Sequence, residues 1–130
     1  MKISLSALAE FLKNMPLVKV WVHFVWSTKN RAPLLTAAIR PQVFQHIREN
    51  ARDKDIFIDF IGSYVDHVHA LVSLGTDQTI SKVMQLIKGE SSFWINKNKL
   101  CSERFEWQDE YFAVSVSEAI IGNVRNYIKN

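Results

Sequence analysis

The segment VKVWVHFVWST, residues 18–28, limits what this chain can become more than any other stretch. Val18, Val20, Val22, Phe24 and Trp26 recur at every second position, and Lys19, Trp21, His23 and Val25 fall between them. Period two sends successive side chains to opposite sides of an extended backbone, so this is a strand with two unlike faces. Such a strand must be covered, and the next apolar stripe along the chain can supply the cover. After a basic loop at 29–35, KNRAPLL, Thr36 is expected to cap a helix running to about Asp53. Ile39, Val43, Phe44, Ile47 and Ala51 stripe that helix, and Pro41 is tolerable in its first turn.

Residues 55–65, DIFIDFIGSYV, and 67–74, HVHALVSL, predict two strands joined as a hairpin through Val65 and Asp66. Gly75, Thr76 and Asp77 make a turn, and Thr79 caps a second helix to about Lys97, striped by Ile80, Val83, Met84, Ile87 and Trp94. Residues 98–110 are polar and irregular, and YFAVSV at 111–116 predicts a fourth strand. SVSE at 115–118 has the form of a capping box, with Ser115 as cap and Glu118 reaching back. A last helix then carries Ile120, Ile121, Val124 and Ile128. The first six elements, strand, helix, strand, strand, helix, strand, have the split βαβ order. The expected fold is therefore α+β and ferredoxin-like: an antiparallel sheet with helices on one face, plus a C-terminal helix. The other sheet face is left for solvent, a ligand or a partner.

A chain of 130 residues with 48% apolar and 22% charged composition fits one ordinary globular domain. Cys101 is the single cysteine, so no intramolecular disulfide is possible and a reducing interior is expected. The N-terminal MKISLSALAEFLKNMPL is broken by Ser4, Ser6 and Glu10, unlike a signal peptide. Nothing approaches the roughly 20 apolar residues of a membrane span. The net charge of +3 permits a polyanionic partner without demanding one.

His67 and His69 are the conspicuous polar residues of an apolar run. Period two puts both on one strand face, with alpha carbons about 7 Å apart, so their imidazoles can converge on one metal ion. The plain alternative is two half-exposed surface histidines. Two nitrogens do not complete a site: a hard divalent ion wants oxygen ligands and open positions, and a zinc hydrolase needs a third ligand. His23 is a candidate whose face relative to the pair the sequence leaves open. His46 reads as solvated, and Asp66, as a strand residue, would point away from His67. Tyr127 sits at the edge of the last apolar stripe, either as a packing residue or as a nucleophile. A phenol with a pKa near 10 needs activation for the second role. Tyr64 and Tyr111 are rivals placed on strands.

Four segments in this order, VHFVWSTKNRAPLL at 22–35, DHVHALVSL at 66–74, IKGESSFWIN at 87–96 and EWQDEYFAVSVSEAIIGNVRNYIKN at 106–130, carry a family resemblance. The chain resembles the HUH-type single-tyrosine transposases of bacterial insertion sequences and their REP-associated tyrosine transposase relatives. The resemblance implies a ferredoxin-like fold in which His67 and His69 hold Mg²⁺ or Mn²⁺. It implies that Tyr127 attacks a phosphate of single-stranded DNA, giving a 5′-phosphotyrosine. It also implies a cytoplasmic, nucleoid-associated bacterial protein, no membrane, hairpin-ended single-stranded DNA as partner, and a homodimer whose active sites can be shared between subunits. Lys29, Arg31 and Lys88 are the expected DNA contacts. Trp21, Trp26 and Trp94 are offered for base stacking, though such spacing more often means core.

The family usually has proline where Val65 stands. Its third metal ligand, a glutamine four residues after the tyrosine, would fall at position 131, just past Asn130. The expected organisation is an N-terminal extension at 1–17, with Leu5, Leu8, Phe11 and Leu12 forming a short amphipathic helix, and an HUH domain at 18–130 whose tail is cut short. A non-catalytic hairpin-binding module is the competing expectation. A small zinc hydrolase is disfavoured for want of a third ligand.

Overall fold

The structure is a computed structural model and describes residues 4–14 and 20–129. Its elements run α1 (Leu5–Asn14), β1 (Val20–Thr28), α2 (Arg40–Asp53), β2 (Phe57–Ser63), β3 (His67–Leu74), α3 (Ile80–Lys97), β4 (Trp107–Val116) and α4 (Ile121–Lys129). The four strands form one antiparallel sheet in the order β2-β3-β1-β4, which is the expected ferredoxin-like arrangement. Val18 and Lys19 lie outside the described residues.

The alternation read in β1 decides the packing. Val22, Phe24 and Trp26 are buried on the face covered by α2 and α3, where they meet Val68, Ala70 and Val72 of β3. Val43, Ile47 and Ala51 of α2 and Val83, Met84, Ile87 and Ile95 of α3 close this core. The opposite face has a smaller cluster. Trp21 and Leu71 pack there against Ile121 and Ile128 of α4, flanked by Phe60, Val116 and Val124. The last helix thus lies on the sheet face that α2 and α3 leave open, and it covers only part of it.

Several boundaries differ from the sequence reading. Helix α2 begins at Arg40, and Thr36 does not cap it with its side chain. The Thr36 carbonyl instead accepts from the Ile39 and Arg40 amides, forming a turn that leads into the helix, with Pro41 in the first turn where a missing N–H costs nothing. Strand β4 begins at Trp107, four positions before the expected Tyr111, because Trp107 is buried against Trp26 and its indole N–H donates to Ser91 Oγ at 3.0 Å. Ser115 lies in β4, and the cap is Ser117, whose Oγ accepts from the Ala119 amide at 3.2 Å at the start of the short 3-10 turn Glu118–Ile120 that leads into α4. Thr79 caps α3 as expected, accepting from the Lys82 amide at 3.2 Å. The N-terminal helix is present as α1, with Leu5 and Leu8 exposed, while the side chains of Phe11 and Leu12 are outside the described residues.

Strand β2 carries an irregularity. Ile58 pairs with Val72 and Phe60 with Leu71, so Asp59 is an extra residue, a β-bulge. The bulge resets the alternation, sending Ile58 and Ile61 to the main core and Phe60 to the α4 side.

Candidate active site

Because β1 and β3 are antiparallel with Val25 opposite His69 and His23 opposite Leu71, His23 and His69 are diagonal neighbours on the α4 face. His69 Nδ1 and His23 Nε2 are 3.0 Å apart, and the two rings stack at 5.2 Å. His67, two residues from His69, shares the face, with ring centroids 5.0 Å apart. The pair therefore points to one place, as the spacing predicts, and His23 joins it.

His67 is fixed from its other side. Its Nδ1–H donates to Asp66 Oδ1 at 2.7 Å, while Asp66 Oδ2 accepts from Arg31 Nε at 2.9 Å. The expectation that Asp66, as a strand residue, points away from His67 does not hold. It lies in the link before β3, free of the strand's alternation, so its carboxylate swings back to its neighbour. The hydrogen bonds from His67 and Arg31 hold the Asp66 carboxyl below its ordinary pKa. Buried Thr28 locks the link in place, its hydroxyl donating to the Ala32 and Asp66 carbonyls at 2.7 and 3.2 Å. Asn30 and Arg31 both adopt left-handed backbone, an unfavourable conformation for side chains with a Cβ, and so turn Arg31 back toward Asp66.

Tyr127 completes the constellation. Its ring lies 5.6 Å from His69 and 6.2 Å from His23, edge-on to both, and the residue is 67% exposed. Three devices seat its helix. Ile121 and Ile128 are buried against the sheet. Arg125 forks onto the bulged Asp59, with Nε to Oδ2 at 2.6 Å and Nη2 to Oδ1 at 2.9 Å. Gly62 sits opposite His69 in the β2–β3 pairing, where an added Cβ would come within 3.0 Å of both the Ile128 side chain and its carbonyl oxygen. Glycine there is a condition of close helix approach.

Two clefts open beside the histidines. One of about 580 Å³ is lined by Tyr64, His67, His69, Asn123, Asn126 and Tyr127 among others. Another of about 410 Å³ runs past Arg31, His67, His69, Glu110, Tyr111 and Tyr127. Tyr64 is not a strand residue: it comes after β2, is exposed, and its ring lies 5.3 Å from that of His67. Tyr111 is on β4, near Phe24 and Lys88. Burial lowers the His69 pKa to about 4, with smaller contributions from His23 and His67, and burial lowers that of His23 as well, so both imidazoles are neutral near pH 7.

The expected DNA contacts are dispersed. Lys29 pairs with Glu106 at 3.1 Å and Arg31 with Asp66, both on the exposed turn after β1. Lys88 Nζ donates to the Gln108 and Asp109 carbonyls at 2.6 and 2.9 Å, and burial lowers its pKa. Trp21 and Trp26 are buried, and Trp94 stacks on His46 at 4.1 Å. His46 is not solvated as the sequence suggested. Its Nε2 lies within 2.8 Å of both Glu90 oxygens, because α2 and α3 pack side by side.

Sequence reasoning left His23 open, expected Asp66 to point away, and missed Asp59, Arg125 and Gly62. A signal for the bulge was present: apolar residues at 56, 58 and 61 change phase within one strand.

A family model described as IS200-like transposase matches residues 17–130. The chain belongs to this family of DNA transposases. It is 25% identical over 114 residues to the ISDra2 transposase TnpA of Deinococcus radiodurans, covering 83% of this chain and 81% of that protein. The fold superposes on the crystal structure of a candidate transposase from D. radiodurans R1 with a TM-score of 0.70 and 21% identity, over 88% of this chain and 92% of that one. It also resembles a REP-associated tyrosine transposase bound to a REP hairpin, with a TM-score of 0.65 and 18% identity over 85% of this chain and 66% of that one. Among the described residues no helix is long and apolar enough to cross a membrane.

Proposed function

We propose that this chain is a metal-dependent transposase of single-stranded DNA in which Tyr127 is the nucleophile and His67 and His69 hold a divalent ion, Mg²⁺ or Mn²⁺. One observation carries the reading: an exposed tyrosine, on a helix clamped to the sheet, stands beside a histidine pair whose two Nδ1 atoms are both engaged by neighbouring side chains. That engagement leaves the Nε2 edges of both rings for a ligand. Among the described residues no group of three or more His, Cys, Asp and Glu side chains is arranged around a common metal position. Two nitrogen donors with remaining positions for water and phosphate oxygens suit an octahedral ion better than a closed zinc site. When bound, such an ion polarises the scissile phosphate and offsets developing negative charge.

The protein's own part is then positioning. Tyr127 Oη attacks phosphorus, the bond from phosphorus to the 3′ oxygen breaks, and the phenolic proton is lost as the 3′-hydroxyl takes one up. The product is a 5′-phosphotyrosine and a free 3′-hydroxyl. A second 3′-hydroxyl reverses the step. One phosphodiester replaces another, so no external energy source is needed. Lys29 and Arg31, 58% and 67% exposed, are the phosphate contacts we favour. Lys88 is committed to main-chain carbonyls and supports the start of β4. The hairpin bound by the REP-associated relative makes a hairpin-ended strand the substrate to test. Strand β4 ends the sheet with Phe112 and Val114 exposed, an edge suited to pairing with a second copy.

The test uses labelled single-stranded DNA from the flanks of the protein's own gene, with Mg²⁺ or Mn²⁺, read as a covalent adduct on a denaturing gel. Wild type forms an adduct, His67→Ala does not, and Tyr127→Phe does not while keeping its hairpin affinity. Tight hairpin binding by wild type with no adduct on any flank would replace this reading with a non-catalytic hairpin-binding module.

A further inference from the structure

His67 and His69 look equivalent in sequence, but their surroundings are not. His67 Nδ1 faces a carboxylate, which in its ionised form only accepts, so the proton of neutral His67 is on Nδ1 and Nε2 is a free acceptor. His69 Nδ1 faces another imidazole, His23 Nε2, at 3.0 Å. Here either ring can be the donor. An unconstrained neutral imidazole prefers its proton on Nε2, which would block the edge of His69 that a metal ion needs. The same preference applies to His23, so one ring of the pair must give up its preferred tautomer.

We propose that His23 is a positioning residue that accepts the His69 Nδ1 proton on its own Nε2, holding His69 in the tautomer with a free Nε2. The geometry allows it and the ligand role of His69 selects it, since the reverse bond would put the His69 proton on Nε2. The two rings meet nitrogen to nitrogen with their planes 28° apart, His23 is half-buried on the inner strand β1, and the rings of Phe112 and Tyr127 stand roughly perpendicular to it at 6.5 and 6.2 Å. With its Nε2 turned to His69 Nδ1, His23 is not the third ligand that its position on β1 suggested. It does for His69 what Asp66 does for His67. The direction of this bond rests on the proposed function, and the ring nitrogens of the metal-free protein test it without metal.

The experiment has two readouts on the folded, metal-free protein and on its Mn²⁺ titration. Nitrogen-15 NMR of the histidine rings reports which nitrogen of His69 is protonated, and electron paramagnetic resonance of free Mn²⁺ reports affinity. The variants are His23→Phe, which keeps an aromatic ring and removes the acceptor, and His23→Gln, which restores an acceptor oxygen. His67→Ala is the control for metal binding, and thermal melting checks the fold of each. The expected result is Nδ1–H on His69 in wild type and in His23→Gln, and Nε2–H in His23→Phe. Mn²⁺ affinity should fall about 10- to 100-fold in His23→Phe and recover at least partly in His23→Gln. Wild-type His69 protonated on Nε2, or an unchanged tautomer and affinity in His23→Phe, would overturn the assignment. If no protein binds Mn²⁺ but the tautomers shift as stated, the positioning role stands and the metal reading fails.

Discussion

The two faces of strands β1 and β3 are made from alternate residues of the same segments, yet they do different work. On one face Val22, Phe24, Trp26, Val68, Ala70 and Val72 are all but inaccessible and are sealed by α2 and α3. On the other, Trp21 and Leu71 are covered by α4, but His23, His67 and His69 lie at the margin of that cover. The first face holds the fold together. The second depends on a short helix seated by two isoleucines, one ion pair and one glycine. The core and the candidate site are thus separated by the pleat of the sheet, and a polar cluster is placed one residue away from a dry core.

That separation can be broken most severely at Phe24, which is fully buried. Phe24→Ala is expected to cost about 3–5 kcal/mol, whereas its neighbour Val25→Ala, on the other face, costs about 1 kcal/mol. Urea denaturation of both variants would measure the difference between the faces. Gly62→Ala comes next. Its Cβ meets the Ile128 backbone, so α4 must shift, at about 1–3 kcal/mol. Hydrogen exchange should speed up in α4 while α2 and α3 stay protected.

A smaller effect is expected for Asp59→Asn. The ion pair with Arg125 is exposed on the arginine side, and solvent screening makes it a minor contributor to stability. The same exchange experiment should show looser α4 amides with an unchanged melting temperature within about 2–4 °C.

The last prediction concerns pH and not the packing of a face. Unfolded His69 titrates near its ordinary value of about 6.5, while burial in the fold holds it to about 4. Between those values the unfolded chain binds more protons, so stability of the metal-free protein should fall as pH drops from about 6.5 to about 4 and level off below. Asp66 acts in the same direction lower in the range, since its carboxyl is depressed by His67 and Arg31 and its contribution is lost as pH falls through the lowered value. His69→Gln should lessen the slope of the upper part of the curve, leaving the share of His23, whose pKa burial also lowers, and the Asp66 part. A slope unchanged by His69→Gln would remove His69 as its source.

Much of this was legible in the chain. Strand β3 and helix α3 stand where the periodicity puts them, and the pair at 67 and 69 shares a face because a strand has period two. What stayed hidden is what depends on pairing between distant segments. His23 meets His69 only through the β1–β3 register, and Arg125 meets Asp59 only because a bulge turns that carboxylate outward. Errors at helix starts have a local cause: Thr36 and Ser115 are plausible caps, but backbone turns and strand pairing claim those positions first. His46 read as solvated because one helix seen alone does not reveal the neighbour that supplies Glu90 and Trp94.

Tyr127 and Tyr64 line one cleft with the histidines, with rings 5.6 Å from His69 and 5.3 Å from His67, and both are exposed. The most direct test is therefore where DNA becomes attached. Wild-type protein would be incubated with its flanking single-stranded DNA and Mn²⁺, digested with nuclease and trypsin, and mapped by mass spectrometry. A Tyr127 nucleophile predicts a nucleotide on the peptide Asn126–Lys129, which contains Tyr127 alone among the tyrosines. Attachment to the peptide containing Tyr64 would contradict it and move the nucleophile to the link before β3.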